Sequence, residues 1–384
     1  MEEYEADVVI VGAGLSGAVM AERFARVLGK RVLILEKRNH IGGNCHDEVD
    51  ENGILVNTYG AHLFHTQDQG VWEYIQQFDR WIRWEHEVIA NLQGRLVPVP
   101  VNITTVNILC EENLATTEDM EVWLREHQEV FPHHPLQNSD EVARSRVGAH
   151  LYELLFRNYT KKQWNQYPED LQPEVLSRIP VRNNFDTRYF SDRYQALPHR
   201  GYTHFFTRLL DHPNIRVRLE SNFFEVRSLL QAPIIVYTGP IDQFFSESGY
   251  PPLEYRSLVF QRETLKNTPY FQPNSVVNYP GPEVPFTRIV EYKHFLHQQS
   301  PHTTIVREYS SDTGEPYYPV PSTKNQQLYE SYRVLADAMT KEHSVHFLGR
   351  LANYKYFNMD QAIRNALDYF ENNFSSLEKK TDDA

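Results

Sequence analysis

The chain has 384 residues, of which 41% are hydrophobic and 13% aromatic, enough for two or three domains with packed cores. Its net charge of -13 argues against general binding to nucleic acid or anionic membranes, so any anionic ligand needs local arginines. Two cysteines exclude a disulfide framework and a structural zinc site, and no run approaches the roughly 18 apolar residues of a membrane span. We expect a soluble, cytoplasmic protein without a metal site, bound nucleic acid or stable membrane insertion.

A dinucleotide-binding unit opens the chain. The apolar run 8–11 predicts a buried parallel strand, and a second strand at 31–35 ends in Glu36, whose carboxylate is suited to ribose hydroxyls. Between them lies the G-x-G-x-x-G spacing that opens a helix, formed by Gly12, Gly14 and Gly17. These glycines permit a tight turn, close approach of a pyrophosphate to the helix N-terminus, and close packing of helix on strand. The order of these signals predicts an α/β fold with a dinucleotide site.

The continuation from Lys37 to Gly43, with its Gly42-Gly43 pair, resembles flavoproteins of the amine-oxidase type more than nicotinamide dehydrogenases. FAD is therefore the expected dinucleotide.

The rest of the chain divides by pattern. The segment 102–159 is helical in character, whereas 255–318 contains short alternating runs that predict an antiparallel sheet. Strands predicted at 215–219, 234–237 and 345–350 would return the chain to the dinucleotide-binding fold, and an amphipathic helix at 359–370 would close it.

Arginines recur beside aromatic residues after the first third of the chain, as in EYRSL, FTRIVEYK and GRLANYKYF. An arginine fork binds a phosphate at two points, and an aromatic face stacks on a base or a flavin ring. In an acidic chain this pattern favours a nucleotide diphosphate substrate. The alternative is that the arginines form surface ion pairs and the tyrosines pack in the core.

Motifs spread over nearly the whole chain resemble, in order, those of the bacterial UDP-galactopyranose mutase family. They are YGAHLFHT, NYTKKQW, RIPVRNNFDTRYFSDRYQALP, RGYT, FTRIVEYKHF, EPYYPVP and GRLANYKYFNMDQAI. Together with the patterns above, the resemblance implies a Rossmann-type FAD-binding domain of 1–78, 200–245 and 341–384. A helical insertion domain would span 99–180, with a mobile loop at about 165–182. An antiparallel-sheet substrate domain would comprise 79–98, 181–199 and 246–340.

The resemblance also implies a reaction. Members of the family interconvert UDP-galactopyranose and UDP-galactofuranose without net redox change, and their FAD is active when reduced. The reaction serves galactofuranose biosynthesis and the synthesis of cell-surface polysaccharide. N5 of the reduced flavin would attack the anomeric carbon with UDP as leaving group, which divides a difficult ring contraction into easier steps. The protein would hold the departing diphosphate, position the sugar and exclude water. A homodimer is implied by the family likeness alone.

Residue by residue, the resemblance implies a catalytic group of Arg178, Arg288 and His62. The two arginines would hold the diphosphate and His62 would lie beside the flavin. Further substrate contacts are implied at Tyr159, Trp164, Tyr189, Glu308, Tyr318 and Tyr356. In this set Tyr159 stacks on uracil, Trp164 lies near the flavin and sugar, Glu308 lies near the sugar, and the other tyrosines bind phosphate oxygens. Tyr317 is the alternative to Tyr318.

The cofactor contacts implied are Gly12, Gly14, Gly17, Glu36, Gly43, Asn44, His62, Arg256, Arg350 and Met359. Two positions depart from the family pattern. Asn358 stands where relatives carry Asp, and Leu155 stands where an aromatic side chain would sandwich uracil from its second face. Three alternatives stay open. They are an amine-oxidase-like flavin oxidoreductase, a mutase for a modified UDP-sugar such as UDP-N-acetylgalactosamine, and a nucleotide-sugar-binding protein that has lost catalysis.

Overall fold

The computed structural model describes residues 4–177 and 179–375. In chain order the strands are β1 (Val8–Val11), β2 (Val32–Leu35), β3 (Asp47–Val49), β4 (Leu55–Asn57), β5 (Phe64–Thr66), β6 (Trp81–Arg83), β7 (Val88–Leu92), β8 (Arg95–Val99), β9 (Tyr194–Pro198), β10 (Ile215–Arg218), β11 (Ile234–Tyr237), β12 (Tyr255–Leu265), β13 (Val276–Asn278), β14 (Arg288–Glu291), β15 (Thr303–Ser311), β16 (Tyr318–Pro319) and β17 (Val345–Phe347). The α-helices are α1 (Leu15–Leu28), α2 (Gln69–Gln76), α3 (Ile103–Cys110), α4 (Thr117–His127), α5 (Ser139–Tyr152), α6 (Asn158–Trp164), α7 (Glu174–Ser177), α8 (Tyr202–Leu209), α9 (Phe223–Val226), α10 (Ile241–Phe244), α11 (Thr323–His343) and α12 (Met359–Phe374).

A five-stranded parallel sheet forms the dinucleotide-binding part, in the order β10-β2-β1-β11-β17. Its central strands are almost entirely apolar because both faces are covered. Val8 and Ile10 face a core shared with α1, α2, α8 and α12, whereas Val9 faces a second core that includes α11. The predicted α/β fold class with a Rossmann-type unit is confirmed.

The carboxyl ends of these parallel strands meet at one edge of the sheet. Gly12 follows β1, Glu36 follows β2, Thr238 follows β11 and Gly349 lies just beyond β17. Ligands of open α/β sheets bind outside this edge, where the strand order reverses. The N-terminus of α1 lies at the same edge, since α1 begins directly after Gly14.

The second large sheet has seven strands in the order β16-β12-β15-β14-β13-β7-β8. Its pairs are antiparallel except for β13 and β7, which run parallel. The longest ladder joins β12 to β15 and places Phe260 opposite Glu308. The next ladder places Arg288 opposite that same Glu308.

Helices α3 to α7 pack around one apolar core together with β7 and β8. Within 102–159, the segment expected to be helical, helix α5 is interrupted, because Gly148 has φ 76° and ψ 168°, outside helical values. A π-helical turn, Glu153–Arg157, then leads into α6. Such turns often occur at functional sites, and this one immediately precedes Tyr159.

Helix α11 lies with the parallel sheet. Most of it falls within 246–340, the range expected for the antiparallel part, yet Tyr332 and Ala336 fill the core beside Val9 and Tyr237. Apolar contact with the dinucleotide-binding part therefore determines its position. The domain boundaries stay predictions, as does the mobility of the loop at about 165–182. None of the helices within the described ranges is long and apolar enough to cross a membrane.

Candidate functional site

A cavity of about 360 Å³ lies at the carboxyl edge of the parallel sheet. The predicted cofactor residues on its wall are Gly12, Gly14, Glu36, Gly43, Asn44, His62, Arg350 and Met359. Gly17 instead holds α1 against the turn, because a Cβ there would lie 2.0 Å from the carbonyl oxygen of Gly12. Eight of the ten predicted cofactor residues thus line one cavity.

Glu36 is oriented by the backbone. One carboxylate oxygen accepts the N–H of Ala13 at 2.8 Å, and the other accepts the N–H of Arg38 at 2.9 Å. Because each carboxylate oxygen has two acceptor positions, Glu36 retains capacity for ribose hydroxyls. This buried side chain is fixed in direction before any ligand arrives.

The residues of this cavity fit FAD. Gly43 has φ 56°, and a Cβ added to it would lie 2.8 Å from the Cα of Gly14. Two glycines in such close approach form a backbone cradle at the start of α1, where N–H groups and the helix dipole attract a pyrophosphate. Glu36 at the neighbouring strand end suits the adenosine ribose, so the cavity has the donor set of an adenine dinucleotide site.

A second cavity of about 400 Å³ adjoins the first. The two cavities share four wall residues, His62, Arg350, Asn358 and Met359. The second cavity is also lined by the predicted substrate residues Tyr159, Trp164, Tyr189, Arg288, Tyr318 and Tyr356. Of these two cavities, Tyr317 lines the dinucleotide cavity and Tyr318 lines the second one. The geometry therefore favours Tyr318 over Tyr317 as a substrate contact.

Arg288 is held by Glu308 across two paired strands. The Nε atom of Arg288 donates to Glu308 Oε2 at 2.5 Å. Burial disfavours the charged guanidinium, but the Glu308 carboxylate outweighs burial and raises the pKa of Arg288 well above its usual value. Glu308 is 1% exposed and does not line the cavity, so the structure places it behind Arg288 and not at the wall expected for a substrate contact.

Arg350 lies between the cavities with its guanidinium against two tyrosines. Its Cζ is 5.4 Å from the ring centre of Tyr318 and 5.2 Å from that of Tyr356, and those rings stack with centres 5.6 Å apart. Arg350 Nη2 donates to the carbonyl oxygen of Phe357 at 2.5 Å. This arrangement fixes two phenol groups and one positive charge on the same wall.

His62 is a neutral imidazole at physiological pH. Burial lowers its pKa to about 4, despite the hydrogen bond between Nδ1 and the carbonyl oxygen of Gly60 at 2.8 Å. Since a carbonyl oxygen only accepts, Nδ1 carries the proton and Nε2 is an acceptor in the neutral ring.

Helix α6 and the π-helical turn supply another part of the wall of the second cavity. Tyr159 and Trp164 come from α6, while Leu155 comes from the turn and is 7% exposed. The indole nitrogen of Trp164 is buried and has no hydrogen-bond partner among the described residues. Leu155 leaves this wall aliphatic at the position where the sequence departs from the family pattern.

Arg256 is not brought to the dinucleotide cavity. It is 4% exposed, its Nε donates to the carbonyl oxygen of Gln163 at 3.1 Å, and its guanidinium pairs with Asp312. It lines a neighbouring cavity of about 560 Å³ with Trp164, and this cavity shares Pro240, Gln243 and Pro316 with the dinucleotide cavity. The cofactor contact expected of Arg256 stays a prediction. Arg178 lies outside the described residues. Within those residues, no cluster of three or more His, Cys, Asp or Glu side chains is arranged to hold a metal ion.

Sequence reasoning missed His86 in the second cavity. It is 2% exposed, its Nδ1 has no hydrogen-bond partner within the described chain, and its ring lies 6.0 Å from that of Tyr189. Burial, followed by the positive charge of Arg288, lowers the pKa of His86 to about 3. The EHEV segment that contains it carries no motif, so only the fold reveals its position.

Replacing His86 with leucine should weaken the dependence of stability on pH. The pKa of a histidine in the unfolded chain is about 6.5, whereas that of folded His86 is about 3. Between these pH values the unfolded state therefore binds more protons than the folded state. The free energy of unfolding should therefore fall as pH drops from 7 to 5, by on the order of 1 to 2 kcal/mol from this residue. Urea unfolding at both pH values should show a smaller difference in His86→Leu. An unchanged difference would contradict the burial of a neutral His86.

The fold and the two adjoining cavities are typical of a dinucleotide-binding enzyme. The second cavity, which contains Arg288, would hold a further ligand beside the dinucleotide. A family model described as an NAD(P)-binding Rossmann-like domain matches residues 10–78. A model described as UDP-galactopyranose mutase matches residues 154–356, more than half of the chain. The chain belongs to the UDP-galactopyranose mutase family.

Similar proteins agree with this assignment. A probable UDP-galactopyranose mutase of Klebsiella pneumoniae is 35% identical, over 97% of this chain and 95% of the relative. A dTDP-fucopyranose mutase of Escherichia coli is 34% identical, over 95% of this chain and 99% of the relative. The crystal structure of a reduced UDP-galactopyranose mutase superposes with a TM-score of 0.77 at 18% identity, covering 98% of this chain and 96% of that one, which confirms the fold.

Proposed function

We propose that this protein interconverts UDP-galactopyranose and UDP-galactofuranose without net redox change and that it requires reduced FAD. One observation carries the proposal: a cavity lined by Arg288 and four of the predicted tyrosines opens beside a dinucleotide cavity, and the two cavities share His62 and Arg350. A sugar held in the second cavity would therefore lie next to the cofactor in the first.

Backbone and carboxylate groups would hold the cofactor. The glycine cradle of Gly14 and Gly43 would receive the pyrophosphate, and Glu36 the ribose. When bound, reduced FAD would supply a nucleophilic ring nitrogen for the anomeric carbon.

Arg288 would bind the diphosphate of the substrate. Its charge is permanent, and one edge of its guanidinium is occupied by Glu308, so the remaining N–H groups point in a fixed direction. As the bond between sugar and diphosphate breaks, negative charge grows on the leaving group. A preoriented guanidinium stabilises that charge more than it stabilises the ground state. Arg178 is proposed as the second such arginine on the family resemblance.

The tyrosines would complete the diphosphate site. Burial raises the pKa of Tyr318, so its phenol stays protonated and donates a hydrogen bond to a phosphate oxygen. Tyr356 stacks on Tyr318 and is 38% exposed, which places it at the rim. Tyr159 would stack on the nucleobase. Leu155, on the same wall, would pack against the base by apolar contact alone.

The reduced protein should be tested with a panel of furanose substrates that differ in nucleotide and sugar. The panel is UDP-galactofuranose, dTDP-fucofuranose and the furanose form of UDP-N-acetylgalactosamine. The first two are included because relatives of nearly equal identity are named as a UDP-galactopyranose mutase and a dTDP-fucopyranose mutase. We expect the highest kcat/KM for UDP-galactofuranose. A higher value for dTDP-fucofuranose would move the assignment to a deoxythymidine-linked sugar. Sustained oxidation of an amine or alcohol under air, without sugar isomerisation, would replace it with an oxidoreductase.

Two further predictions accompany this function. Assembly as a homodimer should appear in sedimentation as a particle of twice the chain mass. A cytoplasmic location should appear on fractionation of the native cells.

A further inference from the structure

The side chain of Lys162 reaches into a turn of the antiparallel sheet. Its Nζ donates to the carbonyl oxygens of Gly281 at 2.8 Å, Phe286 at 3.0 Å and Val284 at 3.3 Å, and also to that of Tyr279. These acceptors lie in residues 279–286, which join β13 to β14; we call this segment the β13–β14 turn. An ammonium has three donors, and all of them are directed at one short segment.

Both ends of this contact adjoin residues that line the second cavity. On the helix side, Tyr159 and Trp164 of α6 flank Lys162 in sequence and line the cavity. On the sheet side, Asn278 precedes the β13–β14 turn and Arg288 follows it, and both line the cavity. Lys162 therefore joins the wall that carries the aromatic side chains to the wall that carries the arginine.

Other contacts also restrain the turn: at the exposed Glu283, Oε1 accepts from Gln93 Nε2 at 3.1 Å, and the ring of Phe286 lies 5.9 Å from that of Tyr309. The base of the turn is closed by the N–H of Tyr279, which donates to the carbonyl oxygen of Thr287 at 2.9 Å, and the rings of Tyr279 and Phe286 meet edge to face at 4.9 Å. Gly281, near its tip, permits backbone motion. Charge-assisted hydrogen bonds are about twice as strong as neutral ones, so Lys162 is a strong restraint on the turn's position relative to α6.

We propose that Lys162 is a positioning residue, which sets the separation between Arg288 and the aromatic side chains of α6 by clamping the β13–β14 turn. The inference rests on the proposed function, since it concerns how the diphosphate is placed between those walls. A displacement of about 1 Å at a reacting group is enough to lower a rate on the order of a hundredfold. Lys162 itself touches neither ligand and acts through Arg288.

The test is Lys162→Met in the full-length, FAD-loaded and reduced protein. Methionine keeps an unbranched apolar stem and removes all three donors. We expect kcat/KM for UDP-galactofuranose to fall about ten- to a hundredfold, with the larger part in kcat, because Arg288 matters most as charge develops on the leaving group.

Lys161→Met is the matched control. Lys161 is on the same helix, and within the described part of the chain its ammonium contacts the carbonyl oxygen of Asn165, at 2.7 Å, and the ring of Tyr167. Both partners are close in sequence, so kcat/KM of Lys161→Met should stay within about twofold of the wild type.

A double-mutant cycle separates positioning from general destabilisation. If Lys162 acts through Arg288, then Arg288→Lys should lower kcat/KM by a smaller factor in Lys162→Met than in the wild type. The inference would be overturned if the double variant lost kcat/KM by the product of the two single-variant factors. An unchanged kcat/KM in Lys162→Met would also overturn it. If Lys162→Met does not fold, the same cycle with Lys162→Gln, which retains two donors, decides the matter. Failure of the wild type to isomerise any nucleotide sugar would instead overturn the proposed function, and this inference with it.

Discussion

Replacing Arg288 with alanine is expected to lower kcat/KM about 30- to 900-fold, the equivalent of about 2 to 4 kcal/mol of transition-state stabilisation. The substitution removes the guanidinium that Glu308 orients toward the cavity. Because the lost contact strengthens as the diphosphate departs, most of the effect should appear in kcat. Anaerobic initial rates with reduced protein and UDP-galactofuranose measure it.

The same substitution leaves Glu308 buried without its ion partner, which itself destabilises the fold. The thermal midpoint must therefore be measured together with the rates, below the temperature at which the variant unfolds. Arg307→Ala is the matched control. Arg307 is the neighbour of Glu308 on β15, and its Nη1 pairs with Glu263 Oε2 at 2.6 Å away from the cavity residues. The Arg307→Ala variant should retain wild-type rates. A wild-type kcat in Arg288→Ala would contradict the role of Arg288 in the reaction. We predict a similar loss for Arg178→Ala on the family resemblance alone.

Replacing Gly43 with alanine should remove bound flavin. The new Cβ would lie 2.8 Å from the Cα of Gly14, a backbone atom that cannot rotate away, so the cradle at the start of α1 has to open. We expect flavin affinity to fall at least tenfold, or about 1.4 kcal/mol. The measurement is the ratio of absorbance at 450 nm to that at 280 nm after purification, followed by titration of the stripped protein with FAD.

Gly53→Ala controls for the cost of the backbone conformation. Gly53 has φ 73°, in the same left-handed region as Gly43, but no atom lies within 4 Å of its added Cβ. Both substitutions carry the left-handed penalty of about 1 kcal/mol, whereas only Gly43→Ala crowds the cradle. Equal flavin content in the two variants would contradict the proposed binding of the cofactor's pyrophosphate at the cradle of Gly14 and Gly43.

The dinucleotide unit was predictable because its signals are local. The strand, the turn and the first residues of α1 lie within about twenty positions, and each step is fixed by short-range geometry. The positions of Tyr159, Trp164 and Arg288 in one cavity followed from the motif resemblance, and the structure brings them together.

The roles of Glu308 and Arg256 required the fold. Glu308 meets Arg288 only through the register of β14 on β15, and strand register is a nonlocal property that the flanking sequence does not determine. Arg256 stands opposite Tyr318 on a neighbouring strand, yet its side chain turns to the carbonyl oxygen of Gln163 at the end of α6. The same reason explains why His86 and Lys162 were missed, since their partners lie far away in sequence.

The most direct test of the account is anaerobic incubation of the purified, FAD-loaded protein with UDP-galactofuranose, with and without prior reduction by dithionite. The account predicts that the reduced protein converts it to UDP-galactopyranose on chromatography, that the oxidised protein does not, and that flavin absorbance afterwards shows no net oxidation. A reduced, flavin-loaded protein that leaves UDP-galactofuranose unchanged would contradict it.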